Sequence, residues 1–216
     1  MKLYKLFALL LAVMLLLPGA LAQASAPEVT QVPQAAEEVE KTTAETEEIP
    51  NYFAMVKTVD LNNEPFDGAQ FEGKRLMINI WADWCPPCRG EMPALNKLAE
   101  EYKDKIMIIG LLPEGVEVTP EGKLKVVQEK LDLAKAGYDE MDITYPTIVP
   151  EEILYTLISQ TNLQYFPTTW FGVERGFLVH IAESAYDEEG WRATMDSVLK
   201  YMDEEAAARE NPDAAQ

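Results

Sequence analysis

Apolar residues are concentrated in short runs that alternate with amphipathic segments over the middle of the chain. The longest of these, residues 76–82, is apolar at nearly every position, which is typical of a strand buried on both faces. Residues 105–112 contain a second such run, and shorter strand patterns cover residues 56–61 and 145–149. The two long runs predict strands at the centre of a mostly parallel sheet.

In other segments apolar positions recur every three or four residues, and this spacing predicts helices. The predicted helices cover residues 87–102, 121–136, 151–160 and 187 to just beyond 200. Before the last helix, residues 168–173 and 177–182 predict two strands joined by a turn. This order of elements predicts an α/β fold, with a central mixed sheet flanked by helices.

Residues 1–22 have the pattern of an export signal. Two lysines precede an unbroken apolar run at residues 6–17, and residues 20–22 (Ala-Leu-Ala) form the small-x-small pattern of a cleavage site. A spanning helix needs about 20 apolar residues, which favours a cleaved signal, although an uncleaved anchor stays open. In both cases we expect the rest of the chain to be extracytoplasmic, and it contacts a membrane only if the signal is uncleaved.

Three further regions follow the signal. Residues 23–50 lack apolar periodicity and contain seven Glu and one Lys, so we predict a disordered acidic linker. Residues 51–203 hold all the predicted strands and helices and form the folded domain. Residues 204–216 predict a polar C-terminal tail that frays.

Charge and composition then narrow the functional classes. The 216 residues include 37 acidic and 18 basic side chains, giving a net charge of -19, and such a field disfavours binding to nucleic acid. There are two cysteines and one histidine, which is too few for a four-cysteine zinc site or a multi-histidine metal site. We expect no metal and no cofactor.

The two cysteines lie in the segment Trp84-Cys85-Pro86-Pro87-Cys88, where a buried strand gives way to a helix. The first turn of a helix favours an anion, so a thiolate of Cys85 is stabilised there and is the expected nucleophile, with Cys88 as the resolving thiol. Both prolines remove backbone donors near the sulfur atoms. A redox-active pair in an oxidising compartment is favoured over half a zinc site, a purely structural disulfide or buried free thiols.

Two segments resemble the signatures of one family. Residues 79–93, which contain the two cysteines, are similar to the active-site segment of exported thioredoxin-like reductases of the TlpA/ResA group, within the redoxin/AhpC-TSA-like superfamily. The run Phe166-Pro167-Thr168 opens a segment that resembles the second signature of that family. The resemblance extends over about residues 50–202. It implies a thioredoxin fold with an N-terminal β-hairpin and a central insertion.

The resemblance also implies roles for individual residues. Pro167 is expected to be a cis-proline that faces a Cys85–Cys88 disulfide, and Trp84 and Phe166 to flank that disulfide. Substrate contacts are expected from these three residues together with Pro86, Pro87 and Thr168. Glu91 is expected to handle the proton of the active site, although a surface position on the helix stays open.

Two further positions depart from the patterns of the wider fold. Asn79 stands where cytoplasmic thioredoxins have a buried Asp, which removes one possible base. Asp83 precedes the active-site Trp, and its charge would disfavour the Cys85 thiolate unless solvent screens it. The stretch 112–138 is longer than a minimal connection, and a covering helix is favoured there over a lid or partner surface.

The resulting hypothesis is an extracytoplasmic thiol–disulfide reductase that acts as a monomer on exported proteins. The resemblance implies a membrane thiol transporter of the CcdA/DsbD type as its electron source. It offers apocytochrome c, other exported proteins and a methionine sulfoxide reductase as substrates, so cytochrome c maturation is one of the possible roles. A thiol oxidase or isomerase and a non-redox partner-binding or copper-handling module remain as alternatives.

Overall fold

A computed structural model of the chain describes residues 50–210. The predicted signal, residues 23–49 of the predicted linker and residues 211–216 of the predicted tail lie outside the described residues. Within residues 50–210, the strands and α-helices follow the order that the apolar pattern predicts, with two additions: the short strand β2, which only the resemblance implied, and a hairpin in the insertion. The strands are β1 (Lys57–Val59), β2 (Pro65–Asp67), β3 (Leu76–Ile80), β4 (Met107–Leu111), β5 (Val116–Val118), β6 (Leu124–Val126), β7 (Thr147–Ile148), β8 (Thr168–Gly172) and β9 (Leu178–Ala182). The helices are α1 (Pro86–Glu101), α2 (Gln128–Glu140), α3 (Glu152–Gln160) and α4 (Glu188–Glu210).

Five strands form the central sheet in the order β7-β4-β3-β8-β9. The strands β7, β4 and β3 are parallel, whereas β8 and β9 run antiparallel to their neighbours. All five residues of β3 are buried, which is the expected consequence of their continuous apolar run. The sheet is therefore the central mixed sheet that the sequence predicts, and its middle strand leads directly into the cysteine segment.

Helices cover both faces of this sheet, and each face has its own apolar core. One core packs α1 and α4 around Met77, Trp81 and Trp191, and it includes both cysteines. The other core lies on the opposite face, where Leu154 of α3 packs with Phe53 and other buried residues. Both cysteines therefore belong to the apolar core between the sheet and helices α1 and α4.

The N-terminal β-hairpin that the resemblance implies is present as β1 and β2. Residue 57 pairs with residue 67 across this hairpin, and a lysine-to-aspartate ion pair joins the two side chains. A second contact ties the hairpin to the main sheet, because the backbone N–H of Val149 donates to the carbonyl of Val59 at 3.1 Å. The hairpin therefore packs beside the edge strand β7.

The prediction of a helix over residues 121–136 is wrong at its start. Residues 116–126 form the small antiparallel hairpin β5–β6, and α2 begins only at Gln128. Apolar and charged residues alternate in both strands, and the turn between them contains Gly122 at a φ of +77°, which glycine adopts readily. The wrong prediction arose because two apolar residues of β6 and its exit, Leu124 and Val127, continue the helical spacing of α2 by coincidence.

The tail predicted at residues 204–216 is also partly wrong, since α4 continues to Glu210. Residues 204–210 contain three consecutive alanines, which are strong helix formers. Two ion pairs at a spacing of four residues, Lys200 with Glu204 and Glu205 with Arg209, add to the stability of this last segment. A polar sequence therefore extends the helix by two turns beyond its last buried residue, Met202.

Candidate active site

The loop after β3 and the first turn of α1 place the two cysteines. Cys85 is the N-cap residue of α1, and its sulfur accepts a hydrogen bond from the backbone N–H of Cys88 at 3.3 Å. The two sulfur atoms form a disulfide with a Cα–Cα distance of 5.4 Å. Pro86 and Pro87 occupy the first two helical positions, where a missing N–H leaves no helical hydrogen bond unmade. The local sequence therefore favours both the helix start and the close approach of the sulfurs.

Access to the disulfide is restricted to one of its two residues. Cys85 is 3% exposed and Cys88 is completely buried, while Pro86 and Pro87 beside them are exposed. Cys85, the expected nucleophile, is thus the more exposed of the two cysteines, although the difference is small. Any attacking thiol must therefore approach Cys85, and Cys88 is placed to react only with its neighbour.

Two aromatic rings and a proline lie at the edge of the site. Trp84 is 58% exposed, and its ring meets that of Phe166 edge to face with 5.7 Å between centroids. The bond between Phe166 and Pro167 is cis, as the resemblance implied, and Pro167 is buried. Thr168 pairs with Ile80 across β8 and β3, which brings this loop beside the end of β3.

The side chain of Thr168 has a local bonding partner. It is buried, and its hydroxyl donates to the carbonyl of Tyr165 at 2.8 Å. Pro86, Pro87, Trp84 and the half-buried Phe166 thus present side-chain surface to solvent, whereas Thr168 contributes to the shape of the loop.

Glu91 lies on the buried face of α1, three residues after Cys88, and not on the helix surface. Its Oε1 accepts from the amide of Asn79 at 2.8 Å, and its Oε2 accepts from the indole N–H of Trp191 at 3.0 Å and from the backbone N–H of Tyr186 at 3.3 Å. Burial raises the pKa of the Glu91 carboxyl to about 7, and the three hydrogen bonds oppose that rise. A carboxyl with this pKa can exchange a proton near neutral pH.

Asn79 supports this carboxyl from the middle strand. Its amide nitrogen also donates to the hydroxyl of Thr169 at 3.1 Å on the neighbouring strand β8. Within residues 50–210, its side-chain oxygen is buried and accepts no hydrogen bond. The sequence identified Asn79 only as a replacement for an acidic residue, and its bond to Glu91 emerges from the packing of α1 on the sheet.

Contacts that join the two residues before Cys85 to two charged side chains of the insertion were not expected from the sequence. We call Asp83, Trp84, Glu114 and Lys130 the anchoring cluster. The indole N–H of Trp84 donates to Oε2 of Glu114 at 2.7 Å, and Nζ of Lys130 lies 3.5 Å from that oxygen and 3.8 Å from Oδ1 of Asp83. These residues are separated by up to 47 positions, so no spacing in the sequence could indicate their contact.

The remaining candidates belong to the core or lie away from the disulfide. Trp81 and Trp170 are completely buried in the core. The ring of Trp81 stacks on Tyr138 of α2 with 5.3 Å between centroids, which fastens the insertion to the end of β3. His180 is exposed on β9, with its ring 5.6 Å from that of Phe171.

Among residues 50–210, no helix combines the length and the apolar character needed to cross a bilayer. The hypothesis of an uncleaved anchor concerns residues 1–22, which lie outside this range.

Comparison with protein families gives a match over residues 22–113 to the model described as Redoxin. A thioredoxin-like protein of Bacillus subtilis (strain 168), YneN, is 31% identical over 127 residues, covering 58% of this chain and 66% of the relative. Thiol-disulfide oxidoreductase ResA of Oceanobacillus iheyensis is 32% identical over 118 residues, covering 54% of this chain and 53% of the relative. The chain thus spans between about half and two thirds of the length of these curated relatives.

Solved structures with the same fold have lower sequence identity. A thiol:disulfide interchange protein of the thioredoxin family from Chlorobium tepidum superposes with a TM-score of 0.52 at 20% identity, covering 68% of this chain and 92% of the other. A DsbF homologue from Corynebacterium diphtheriae gives a TM-score of 0.52 at 20% identity, covering 78% and 98%. These likenesses confirm the expected thioredoxin fold.

Proposed function

Because this chain belongs to the redoxins of the TlpA/ResA type, we propose that it is an extracytoplasmic thiol–disulfide oxidoreductase that reduces disulfides in exported proteins. The observation that carries this proposal is the Cys85–Cys88 pair at the start of α1, with the carboxyl of Glu91 buried behind it. A helix start favours a thiolate at Cys85, and the buried position of Cys88 reserves it for the second step.

The reaction proceeds in two exchanges. The thiolate of reduced Cys85 attacks one sulfur of the substrate disulfide, whose S–S bond breaks to release one substrate thiolate and leave a mixed disulfide. Cys88, after losing its proton, attacks the sulfur of Cys85, which restores the Cys85–Cys88 disulfide and releases the second substrate thiolate. Two electrons pass from the cysteine pair to the substrate, and the two substrate thiolates take up protons.

Glu91 is assigned the proton of the second exchange. It projects from the same face of α1 as Cys88, one helical turn further on. Because the pKa of Glu91 is about 7, its ionised carboxylate can accept a proton from the Cys88 thiol. The carboxyl can then return this proton to solvent or substrate.

The oxidised pair must be reduced again by a partner dithiol. The resemblance implies a membrane thiol transporter of the CcdA/DsbD type for this role, with exported disulfide proteins, including apocytochrome c, as substrates. The exposed ring of Trp84 and the half-buried ring of Phe166, beside the more accessible of the two cysteines, support docking of a protein chain rather than of a small thiol alone. The protein is proposed to act as a monomer without a cofactor.

Trapping identifies the substrates and tests the proposal. In a Cys88→Ala variant the mixed disulfide on Cys85 cannot be resolved, so exported proteins are expected to accumulate as covalent adducts in the cell. The adducts are read by mass spectrometry of the affinity-purified variant under non-reducing conditions. The Cys85→Ala and Cys88→Ala double variant is the matched control, since it keeps the surface and loses the nucleophile.

Two outcomes would contradict the proposal. If the Cys88→Ala variant carries no adduct that the double variant lacks, Cys85 does not exchange with protein disulfides. If the captured proteins are cytoplasmic, the extracytoplasmic location is wrong while the exchange chemistry stands.

The direction of electron flow is tested by the reduction potential of the Cys85–Cys88 pair. A reductase requires a potential in the range of thioredoxin, about −270 mV, because its dithiol must be the stronger reductant. The potential is measured by equilibration in buffers of oxidised and reduced dithiothreitol, with the fraction of reduced protein counted by alkylation. A reduction potential of about −120 mV would make the protein an oxidase, the alternative in which the same cysteine pair takes electrons from substrate thiols.

A further inference from the structure

We propose that Glu114 and Lys130 are positioning residues, which hold Trp84 and Asp83 beside Cys85 from within the central insertion. This inference rests on the proposed function, because it concerns how the same site receives a substrate. It gives the insertion a role at the active site, which a helix that only covers the sheet would not have.

The ring of Trp84 is held in one position although it is exposed. More than half of this side chain is exposed, and an exposed ring would sample several rotamers unless other groups fixed it. Two contacts fix it here: the charge-assisted hydrogen bond from its indole N–H to Glu114 at 2.7 Å, and the edge-to-face contact with Phe166. The ring is therefore set in place beside the disulfide before a substrate arrives.

Lys130 also compensates the negative charge of Asp83. The side chains of Asp83, Glu114 and Lys130 are 17%, 33% and 34% exposed, so water screens their interactions only in part. Among the described residues, no donor forms a hydrogen bond to the buried Oδ1 of Asp83, and Lys130 at 3.8 Å is the cation paired with it. Without Lys130, the negative charge of Asp83 would oppose a thiolate on Cys85, two residues away.

The backbone of the insertion that carries Glu114 and Lys130 is itself fixed. The backbone N–H of Val127, the residue before α2, donates to the carbonyl of Gly115 at 2.8 Å, which joins the segments that carry Lys130 and Glu114. Gly115 packs so closely on Val149 that a Cβ at this glycine would lie 2.2 Å from a side-chain carbon of Val149. Both charged side chains thus project from a rigid base that is packed on the end of the sheet.

The test begins with the hydrogen bond to Trp84. Glu114→Ala removes the acceptor, whereas Glu114→Gln keeps an oxygen that can accept from the indole N–H. We expect Glu114→Ala to raise KM for a peptide with one intramolecular disulfide by about three- to tenfold, with kcat little changed. Dithiothreitol supplies the electrons in this assay. Glu114→Gln is expected to stay within about twofold of the wild type.

Fluorescence gives a readout that loss of stability alone would not produce. Trp84 is exposed, whereas Trp81, Trp170 and Trp191 are completely buried, so acrylamide quenches mainly Trp84. We expect greater quenching in Glu114→Ala than in Glu114→Gln or the wild type. A Trp84→Phe variant assigns the quenched fraction.

The charge effect of Lys130 is measured on the reduced protein. Lys130→Met is expected to slow alkylation of Cys85 by iodoacetamide about two- to fivefold near pH 7, the size that a partly exposed charge pair is worth. The difference is expected to shrink when salt is added, because added ions screen Asp83.

The insertion offers matched controls for both changes. Glu117→Ala breaks an ion pair with Lys125 at 2.9 Å in the small hairpin, and Lys135→Met breaks a pair with Asp139 at 2.8 Å on α2. Each makes the same change of charge in the same segment without touching the anchoring cluster. Both are expected to match the wild type in KM, quenching and alkylation.

The outcomes separate this proposal from the function on which it rests. If Glu114→Ala leaves both KM and quenching at wild-type values, Glu114 does not position Trp84. If iodoacetamide alkylates Cys85 as fast in Lys130→Met as in Lys135→Met, Lys130 does not compensate the charge of Asp83. If the wild type fails to reduce the peptide, the proposed function fails, while quenching and alkylation still decide the positioning roles.

Discussion

Replacement of Cys85 by Ser is expected to reduce the rate of disulfide exchange by about 10³-fold or more, to that of the uncatalysed reaction. A serine hydroxyl stays protonated where a thiol at a helix start ionises, and it forms no disulfide with a substrate. Because Cys88 is completely buried, it cannot take over the attack. The measurement is the turnover of a peptide disulfide with dithiothreitol as the electron source, corrected for the rate without protein.

The matched variant is Cys88→Ser, which loses only the second exchange. After reduction and removal of dithiothreitol, this variant is expected to consume one equivalent of substrate in a single rapid phase and then stop, because no second thiol resolves the mixed disulfide on Cys85. The assignment of roles is contradicted if Cys85→Ser shows this burst and Cys88→Ser does not. In that case the buried cysteine would be the nucleophile, and the site would have to open before reaction.

Glu91→Gln is expected to stabilise the oxidised protein at pH 8 by about 2–3 kcal/mol while it slows the second exchange. Burial raises the pKa of Glu91 from 4.5 to about 7 in the folded protein, so the folded state binds the proton more tightly than the unfolded state does. The contribution of Glu91 to the free energy of unfolding is therefore greatest below about pH 4.5, falls as pH rises to about 7 and stays constant above. The uncharged amide of Gln removes the free-energy cost of burying an ionised carboxylate. The difference in free energy of unfolding between the variant and the wild type is therefore expected to vanish near pH 4, where Glu91 is protonated.

The surroundings of Glu91 can accept this substitution. The oxygen of a glutamine can accept from the indole N–H of Trp191, and its amide can donate to the oxygen of Asn79, which accepts no bond from residues 50–210. Denaturant unfolding of the oxidised protein at pH 4 and pH 8 provides the measurement. Glu100→Gln is the control, since Glu100 lies exposed on the same helix and, among the residues that the structure describes, pairs only with Lys103.

The rate of the second exchange is expected to fall in Glu91→Gln, whereas its stability at pH 8 rises. If Glu91 accepts the proton of Cys88, the rate of the second exchange in the wild type rises with pH through about 7, and this rise is absent in Glu91→Gln. Single-turnover release of the second substrate thiol, followed from pH 5 to pH 9, reports that step. A variant that is more stable at pH 8 and keeps the wild-type pH profile would limit Glu91 to a structural role.

Much of the fold could be predicted because the pattern is local. The continuous apolar run of β3 and the spacing of α1 follow from which face of each element is buried, and this burial is visible in consecutive residues. The small hairpin β5–β6 could not be separated from α2 in this way. Its strands of three residues are too short for alternation to outweigh the helical spacing that follows them.

The active site divides in the same manner. The helix start, the two prolines and the spacing of Cys85 and Cys88 are properties of five consecutive residues, so the sequence alone predicts the disulfide and its position at the end of a central strand. The burial of Glu91 was left open, since a residue three positions after Cys88 can lie on either side of the boundary between core and surface. Only the packing of α4 on α1 decided it, by placing Trp191 against the carboxylate.

The sequence by itself thus determined the chemistry of this protein: a pair of thiols at a helix start within a fold built around one buried strand. The tertiary structure alone decided what surrounds that pair, namely the buried carboxyl and the anchoring cluster. The physical reason is range. Helix starts and strand burial depend on neighbours within a few residues, whereas a pKa or an ion pair depends on groups that the chain brings together from up to 100 residues away.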